Sequence, residues 1–256
     1  KTSPSRSTMN PTTQNPTYNY VPRDVMVPFH NRTARWAVII AHRRLGKSTA
    51  LLNDLIIRGM VKRKDGLRQQ FAFLAPFQNQ ARMVIWQMAK DYTQCFSKCP
   101  GYKISEMNLT VTLPDPDNLN NPGSVIMLLG AENAEKLRGL FLDGLVLDEF
   151  QDIAPWVWDA ILRPALADRG GFAVFSGTIK GRDNPLWMFY EKASAGGSGW
   201  FHQLLPASKT HIIPQEELED LKRGMTEEAY QAEFECDVDA VVTGRIFLQH
   251  IIPRQI

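Results

Sequence analysis

From Trp36 onward, short runs of consecutive apolar residues alternate with longer stretches whose apolar positions recur every three or four residues. The short runs are WAVIIA (36–41), FAFLAP (71–76), SVIMLLG (124–130), GLVLD (144–148) and GFAVFSG (171–177). Apolar on both faces, they read as strands inside a parallel sheet. The longer stretches, 47–63, 77–96, 155–168, 184–194, 215–223 and 226–236, read as helices, and Pro155 suits the first turn of its helix. Strand and helix in turn predict an α/β fold, a mostly parallel sheet flanked by helices. The segment 100–123 breaks the alternation with a Pro/Asn/Asp turn cluster and predicts an antiparallel insertion at a sheet edge. Residues 1–23 hold few apolar side chains and are expected to form a flexible tail. The core is expected over 24–196, a small lid or linker subdomain over 197–247, and a C-terminal tail over 248–256.

Composition sharpens this picture only a little. A chain of 256 residues with 44% hydrophobic and 22% charged positions can build one large core plus a small appendage. No apolar stretch is long enough to span a bilayer, and no apolar leader reads as a secretory signal. Together with only three cysteines, Cys95, Cys99 and Cys236, this predicts a cytoplasmic protein without a membrane partner. Cys95 and Cys99 have a spacing that suits two metal ligands, but no further His or Cys follows at finger spacing, so buried or half-buried thiols are expected. A net charge of +2 is too small to indicate nucleic-acid binding, which would have to be local.

Three short motifs carry chemistry. AHRRLGKST (41–49) follows a buried strand and opens a helix, the context of a phosphate-binding loop. Arg44, Leu45, Gly46, Lys47, Ser48 and Thr49 would surround a nucleotide: Gly46 lets the backbone approach, Lys47 neutralises β and γ oxygens, and Ser48 offers its hydroxyl to Mg²⁺. The loop begins with Ala41 where the usual pattern has glycine. About a hundred residues later, GLVLDEFQD (144–152) ends an apolar strand in two acids. Asp148 suits Mg²⁺ binding, and Glu149 suits activation of the attacking water. FSGT (175–178) ends the next strand, where Ser176, Gly177 and Thr178 can sense the γ-phosphate.

Together the three motifs resemble the ATPase motor domain of the large terminase subunit of tailed bacteriophages, over about residues 24–247. The resemblance implies a P-loop NTPase of the additional-strand, catalytic-glutamate (ASCE, RecA-like) type, using ATP and Mg²⁺ to move double-stranded DNA into a procapsid. It implies assembly into a ring, expected to be a pentamer, on the portal, with the small terminase subunit as a further partner, in the host cytoplasm. Lys47 and Ser48 take the phosphate and Mg²⁺ roles, Asp148 and Glu149 the metal-binding and catalytic roles, and Ser176–Thr178 the coupling motif. Arg138, in LRG before the acidic strand, is a candidate arginine finger given in trans, while Arg43 or Arg44 could supply the charge in cis. Phe29, His30 and Asn31 stand where the family has its adenine-reading glutamine. The family's nuclease half is not expected on a chain that ends soon after GRIF (244–247). A helicase-like translocase and a nucleotide-gated binding module are the alternatives.

For DNA, the basic run RGMVKRKDGLR (58–68) and the pair Lys180 and Arg182 are candidates, against a plain solvated helix end for the former. Trp156 and Trp158 lie two apart at a helix start, so one is expected to pack and the other to face outward.

Overall fold

The computed structural model describes residues 16–196 and 199–240. Eight strands form one sheet: β1 (Trp36–Ala41), β2 (Gln70–Ala75), β3 (Lys103–Ser105), β4 (Thr110–Asp115), β5 (Asn118–Gly130), β6 (Gly144–Leu147), β7 (Phe172–Gly177) and β8 (Trp200–Leu205). Their order is β3-β4-β5-β2-β6-β7-β1-β8. The six strands from β5 to β8 in that order run parallel, and β3 and β4 add an antiparallel edge. That edge is the insertion anticipated at 100–123, and β5 is longer than its apolar half because the hairpin runs straight into it.

The α-helical segments are α1 (Val27–His30), α2 (Lys47–Gly59), α3 (Gln78–Gln80), α4 (Gln87–Thr93), α5 (Pro155–Val157), α6 (Arg163–Ala165), α7 (Pro185–Ser194), α8 (Ala207–Thr210), α9 (Gln215–Gly224) and α10 (Glu227–Glu233). A π-helical turn, Ala81–Trp86, joins α3 to α4, and another, Trp158–Leu162, joins α5 to α6. Successive strand side chains point to opposite faces, so each face of the sheet has its own core. On one face Ala37, Ile39 and Ala41 pack with Leu51, Leu52, Leu55 and Ile56 of α2. On the other, Val38 and Ile40 pack with Trp158, Ile161 and Leu162 and with Leu186 of α7. Trp158 meets the Phe175 ring edge-on at 4.7 Å, whereas Trp156 is half exposed, as their spacing requires. Among the described residues no helix is long and apolar enough to cross a membrane.

Two boundaries differ from expectation. WFHQLL, β8, lies within the stretch assigned to the lid, yet it pairs in parallel with β1 as the last strand of the main sheet. His202 and Gln203 interrupt its apolar run because an edge strand covered on one side tolerates polar positions. After Leu205, Ala207, Ile213, Leu218, Tyr230 and Phe234 form a small hydrophobic cluster of their own. Residues 16–23 are also not a free tail. Tyr18 stacks on Phe96 and donates its hydroxyl to Asn53 Oδ1, and Arg23 reaches the loop after β1. Tyr18 and Tyr20, the latter edge-on to Tyr92, supply burial that the low apolar count concealed. Residues 1–15, and the expected C-terminal tail at 248–256, lie outside the described residues.

Candidate active site

In a parallel α/β sheet, loops at the carboxyl ends of the strands converge on one rim. Here β7 lies between β1 and β6, so the loop after β1, the FSGT end of β7 and the acidic end of β6 share that rim. The register aligns them, with Ile40 beside Gly177 and Leu147 beside Phe175.

After Ala41 the chain turns through two left-handed residues, Arg44 (φ 65°) and Gly46 (φ 87°), and enters α2 at Lys47. Gly46 meets the usual need for glycine at such a turn. Lys47 folds back beneath the loop, donating from Nζ to the Ala41 carbonyl at 3.1 Å. Ala41, the last residue of β1, has no left-handed φ that would call for glycine. Ser48 donates from Oγ to Asp148 Oδ2 at 2.6 Å, joining motifs 100 residues apart. Asp148 is buried at the end of β6, and burial, then the neighbouring Glu149 charge, raise its pKa to about 6. Glu149 takes a left-handed backbone (φ 51°), an uncommon conformation for a residue with a side chain, and its N–H donates to Asp148 Oδ1 at 3.2 Å.

These groups open onto a cleft of 730 Å³. Arg43, Arg44, Leu45, Gly46, Lys47, Ser48 and Thr49 line one side, with Glu149 and Thr178 opposite. Ser176 and Gly177 lie just behind, Ser176 buried with an unpartnered hydroxyl. Gln151 and Phe77, neither singled out in the sequence, also line the cleft. Gln151 stands within the quoted DEFQD, but only the placement of β7 beside β6 gives it a partner in Thr178, whose Oγ1 is 3.4 Å away.

The two loop arginines separate. Arg43 pairs through Nε with Glu233 Oε2 of α10 at 2.5 Å, and its N–H donates to the Glu233 carbonyl at 3.0 Å. His42, wholly buried, completes this seam: its Nδ1 donates to the Arg43 carbonyl at 2.5 Å and Nε2 lies 2.8 Å from Thr210 Oγ1 of α8. Burial lowers the His42 pKa. Arg43 thus ties the loop to the small subdomain, and Arg44, exposed at the cleft, has no carboxylate partner among the described residues. Arg138 is elsewhere, at the end of the 3₁₀ turn Ala131–Leu137, 55% exposed and paired with Glu135 at 2.5 Å.

Phe29, His30 and Asn31 do not line the cleft. Phe29 is buried beneath the Arg32 guanidinium, 4.0 Å from its ring, and Asn31 is exposed at the end of α1. His30 Nε2 lies 3.0 Å from the Tyr20 hydroxyl, with Nδ1 3.5 Å from Asp54 Oδ1. Asp54 is the centre of a buried ion cluster with Arg32 at 2.7 Å and Arg58 at 3.0 Å. Burial pushes its carboxyl up, but hydrogen bonds from His30 and Arg32 and the two guanidinium charges outweigh that and hold it at about 2. Through Asp54 the segment is tied to α2. A separate cavity of 270 Å³ touches the loop at Gly46 and Thr49 and is lined by Tyr20, Arg23 and Tyr92. Arg23 holds it against the loop, donating from Nη1 to the Leu45 carbonyl at 2.8 Å.

Most cations proposed for DNA are already neutralised. Arg58 pairs with Asp54, Lys62 with Asp115 and Asp117, and Arg63 with Asp65 and Asp143. Lys180 pairs with Asp152 at 2.6 Å and Arg182 with Asp239 at 2.8 Å. Cys95 and Cys99 are half-buried free thiols, and among the described residues no three His, Cys, Asp or Glu side chains cluster as metal ligands.

A parallel sheet with one strand inserted between the phosphate-loop strand and the acidic strand, and all three motifs on one rim, is the P-loop NTPase fold. No protein-family model matches the chain. It is similar in sequence to the large terminase subunit of Thermus virus P23-45, at 26% identity over 198 residues, 74% of this chain and 39% of that protein. The chain therefore spans about two fifths of that relative's length. Its fold is that of the large terminase ATPase domain of Thermus phage P74-26: the TM-score is 0.69 at 20% identity, covering 86% of this chain and 94% of that domain. The large terminase of another thermophilic bacteriophage, in complex with ATP-gamma-S, also shares it, with a TM-score of 0.62 at 13% identity, covering 83% of this chain and 51% of that one.

Proposed function

We propose that this chain is the ATPase domain of a phage large terminase, hydrolysing ATP with Mg²⁺ to drive double-stranded DNA into a procapsid. The observation that carries the reading is the Ser48–Asp148 hydrogen bond of 2.6 Å, with Lys47 and Glu149 on the same cleft. The ATP-gamma-S and ADP complexes of the thermophilic-phage terminase support an adenine nucleotide in that cleft.

The donor set suits Mg²⁺. Ser48 and Asp148 offer a hydroxyl and a carboxylate oxygen, and this ion characteristically takes its remaining ligands from water and phosphate. A bound Mg²⁺ would offset the Asp148 charge, which burial and the adjacent Glu149 now penalise. Lys47, exchanging its bond to the Ala41 carbonyl for phosphate oxygens, supports the β and γ phosphates, with N–H groups at the start of α2 pointing the same way. Glu149 accepts a proton from the attacking water as that water reaches the γ-phosphorus. Thr178, at the end of β7, meets the γ-phosphate side of the cleft and carries its loss to the segment that follows. Tyr20, Arg23 and Tyr92 take the base, in place of Phe29, His30 and Asn31.

Arg44 supplies the charge in cis, Arg43 joins the loop to the lid, and Arg138, exposed and away from the cleft, acts in trans on the next subunit of a ring. The ring is a pentamer on the portal, in the host cytoplasm, with the small terminase subunit and duplex DNA as partners. Steady-state ATP hydrolysis with and without duplex DNA tests the reading. Wild-type turnover should rise with DNA. Mixing Arg138→Ala with Glu149→Gln protein should restore part of the activity each lacks. No turnover with DNA present would overturn the motor assignment, and no rescue on mixing would remove the finger in trans.

A further inference from the structure

We infer that Gln151 is a positioning residue for the hydrolysis reaction, fixing the Glu149 carboxylate against the end of β7; the inference rests on the ATPase reading above. Glu149 occupies a left-handed backbone position at the strand end, with its side chain part-buried on the cleft. Among the described residues one hydrogen-bond donor reaches its carboxylate, the Gln151 Nε2 amide on Oε2. The other oxygen, Oε1, stays open to receive a proton from water. A general base that must meet a water in one direction gains from having its rotamer set before substrate arrives.

Gln151 is itself placed with some cost. Its carbonyl accepts from Asn184 Nδ2 at 3.2 Å, and Asn184 caps α7 by accepting from the Leu186 N–H, so the backbone of 151 is tied to a helix. Its side chain then crosses the end of β7. A Cβ on Gly177 would stand 1.8 Å from Gln151 Oε1, so the middle residue of the SGT motif must be glycine for the amide to lie there. The same Nε2 is 3.4 Å from Thr178 Oγ1, which places one amide between the base and the coupling residue. Gln151 Oε1 is buried without a hydrogen-bond partner, as is Ser176 Oγ just behind. Packing alone would be served at least as well by an apolar side chain of this length, since it would bury no orphan oxygen. The amide is retained for its N–H.

The test compares Gln151→Met, which keeps length and volume but removes the donor, with wild type for ATP affinity, KM and kcat in the presence of duplex DNA. Expected are an affinity and KM within twofold of wild type, which also reports an intact fold, and a kcat lower by about 10- to 100-fold. Glu149→Asp supplies the second readout. Its shortened carboxylate falls out of reach of the amide, so adding Gln151→Met should cost it less than twofold further. Wild-type kcat in Gln151→Met, or a full multiplicative loss in the double variant, would overturn the inference while leaving the ATPase reading in place. Retained turnover in Glu149→Gln would instead overturn the ATPase reading beneath it.

Discussion

Two basic stretches, residues 41–49 and 58–68, look alike in the sequence and differ in the fold. In the first, Arg43 pairs with Glu233, but Lys47 donates to a neutral backbone carbonyl and Arg44, exposed at the cleft, has no carboxylate partner among the described residues. In the second, Arg58, Lys62 and Arg63 each meet at least one carboxylate, and Arg68 donates to the Gly123 carbonyl and lies near Thr112 Oγ1. The difference lies in what sits opposite. At the carboxyl rim of the sheet Glu233 takes Arg43 and Asp152 takes Lys180, and no carboxylate among the described residues is paired with Arg44. At the other end of α2, the hairpin and the loop before β6 bring Asp115, Asp117 and Asp143 alongside. Density of cations in a sequence therefore says little about free charge, because an acid far along the chain can cancel it.

The largest effect should come from the rim. Glu149→Gln is expected to lower turnover by about 10²–10⁴-fold while ATP still binds, measured as steady-state phosphate release beside equilibrium nucleotide binding. Undiminished phosphate release would leave the rim beside the first stretch without the base assigned to it. Next, Lys47→Ala should weaken ATP binding by about 10- to 100-fold in a titration, since a charge-assisted phosphate contact is lost; unchanged affinity would make Lys47 a loop-closing residue only.

Asp148 gives a pH-dependent test. Its pKa is raised from 3.8 to about 6, so the folded state holds this proton more tightly than the unfolded chain does. Stability is therefore lost as pH rises through that window and stays lower above it. Asp148→Asn should raise the melting temperature of the nucleotide-free, Mg²⁺-free protein by several degrees at pH 8, with the gain vanishing near pH 4. A melting temperature at pH 8 no higher than wild type would mean that Asp148 costs the fold nothing.

Smaller effects belong to the second stretch. Arg63→Ala should lower the melting temperature by a few degrees, because buried Asp143 would lose one of its two guanidinium partners, keeping Arg169 at 3.0 Å and the Gln70 N–H at 2.8 Å. Lys62→Ala, an exposed pair with Asp117, should change neither stability nor DNA-stimulated hydrolysis by more than experimental scatter. A marked loss of DNA stimulation in Lys62→Ala would return the run to the DNA surface.

Legibility followed burial. WAVIIA, FAFLAP and GLVLD were readable as strands because both faces of a central parallel strand are apolar, which leaves an unbroken run. WFHQLL was not, because β8 lies at the sheet edge, with His202 exposed and its other side chains half buried. Tyr18, Tyr20 and Arg23 were hidden in a polar stretch because each acts through specific long-range contacts rather than through a pattern. Among the candidate site residues, Lys47, Ser48, Asp148 and Glu149 meet in one place, since local chemistry chose them: a glycine turn into a helix, and acids at a strand end. Phe29, His30 and Asn31 were placed by analogy of position, and their partner Asp54 lies on α2, invisible to any local reading.

The sequence by itself determined the strands of the central sheet, the phosphate loop and the acid pair, because hydrophobic periodicity and turn chemistry act over a few residues. Only the tertiary structure decided which charges remain free. It set Ser48 against Asp148 across 100 residues, gave Arg43 to Glu233 and laid Gln151 between Glu149 and Thr178. Those outcomes depend on the order in which strands pair, with β7 between β1 and β6, and pairing order is a long-range property that no local pattern encodes.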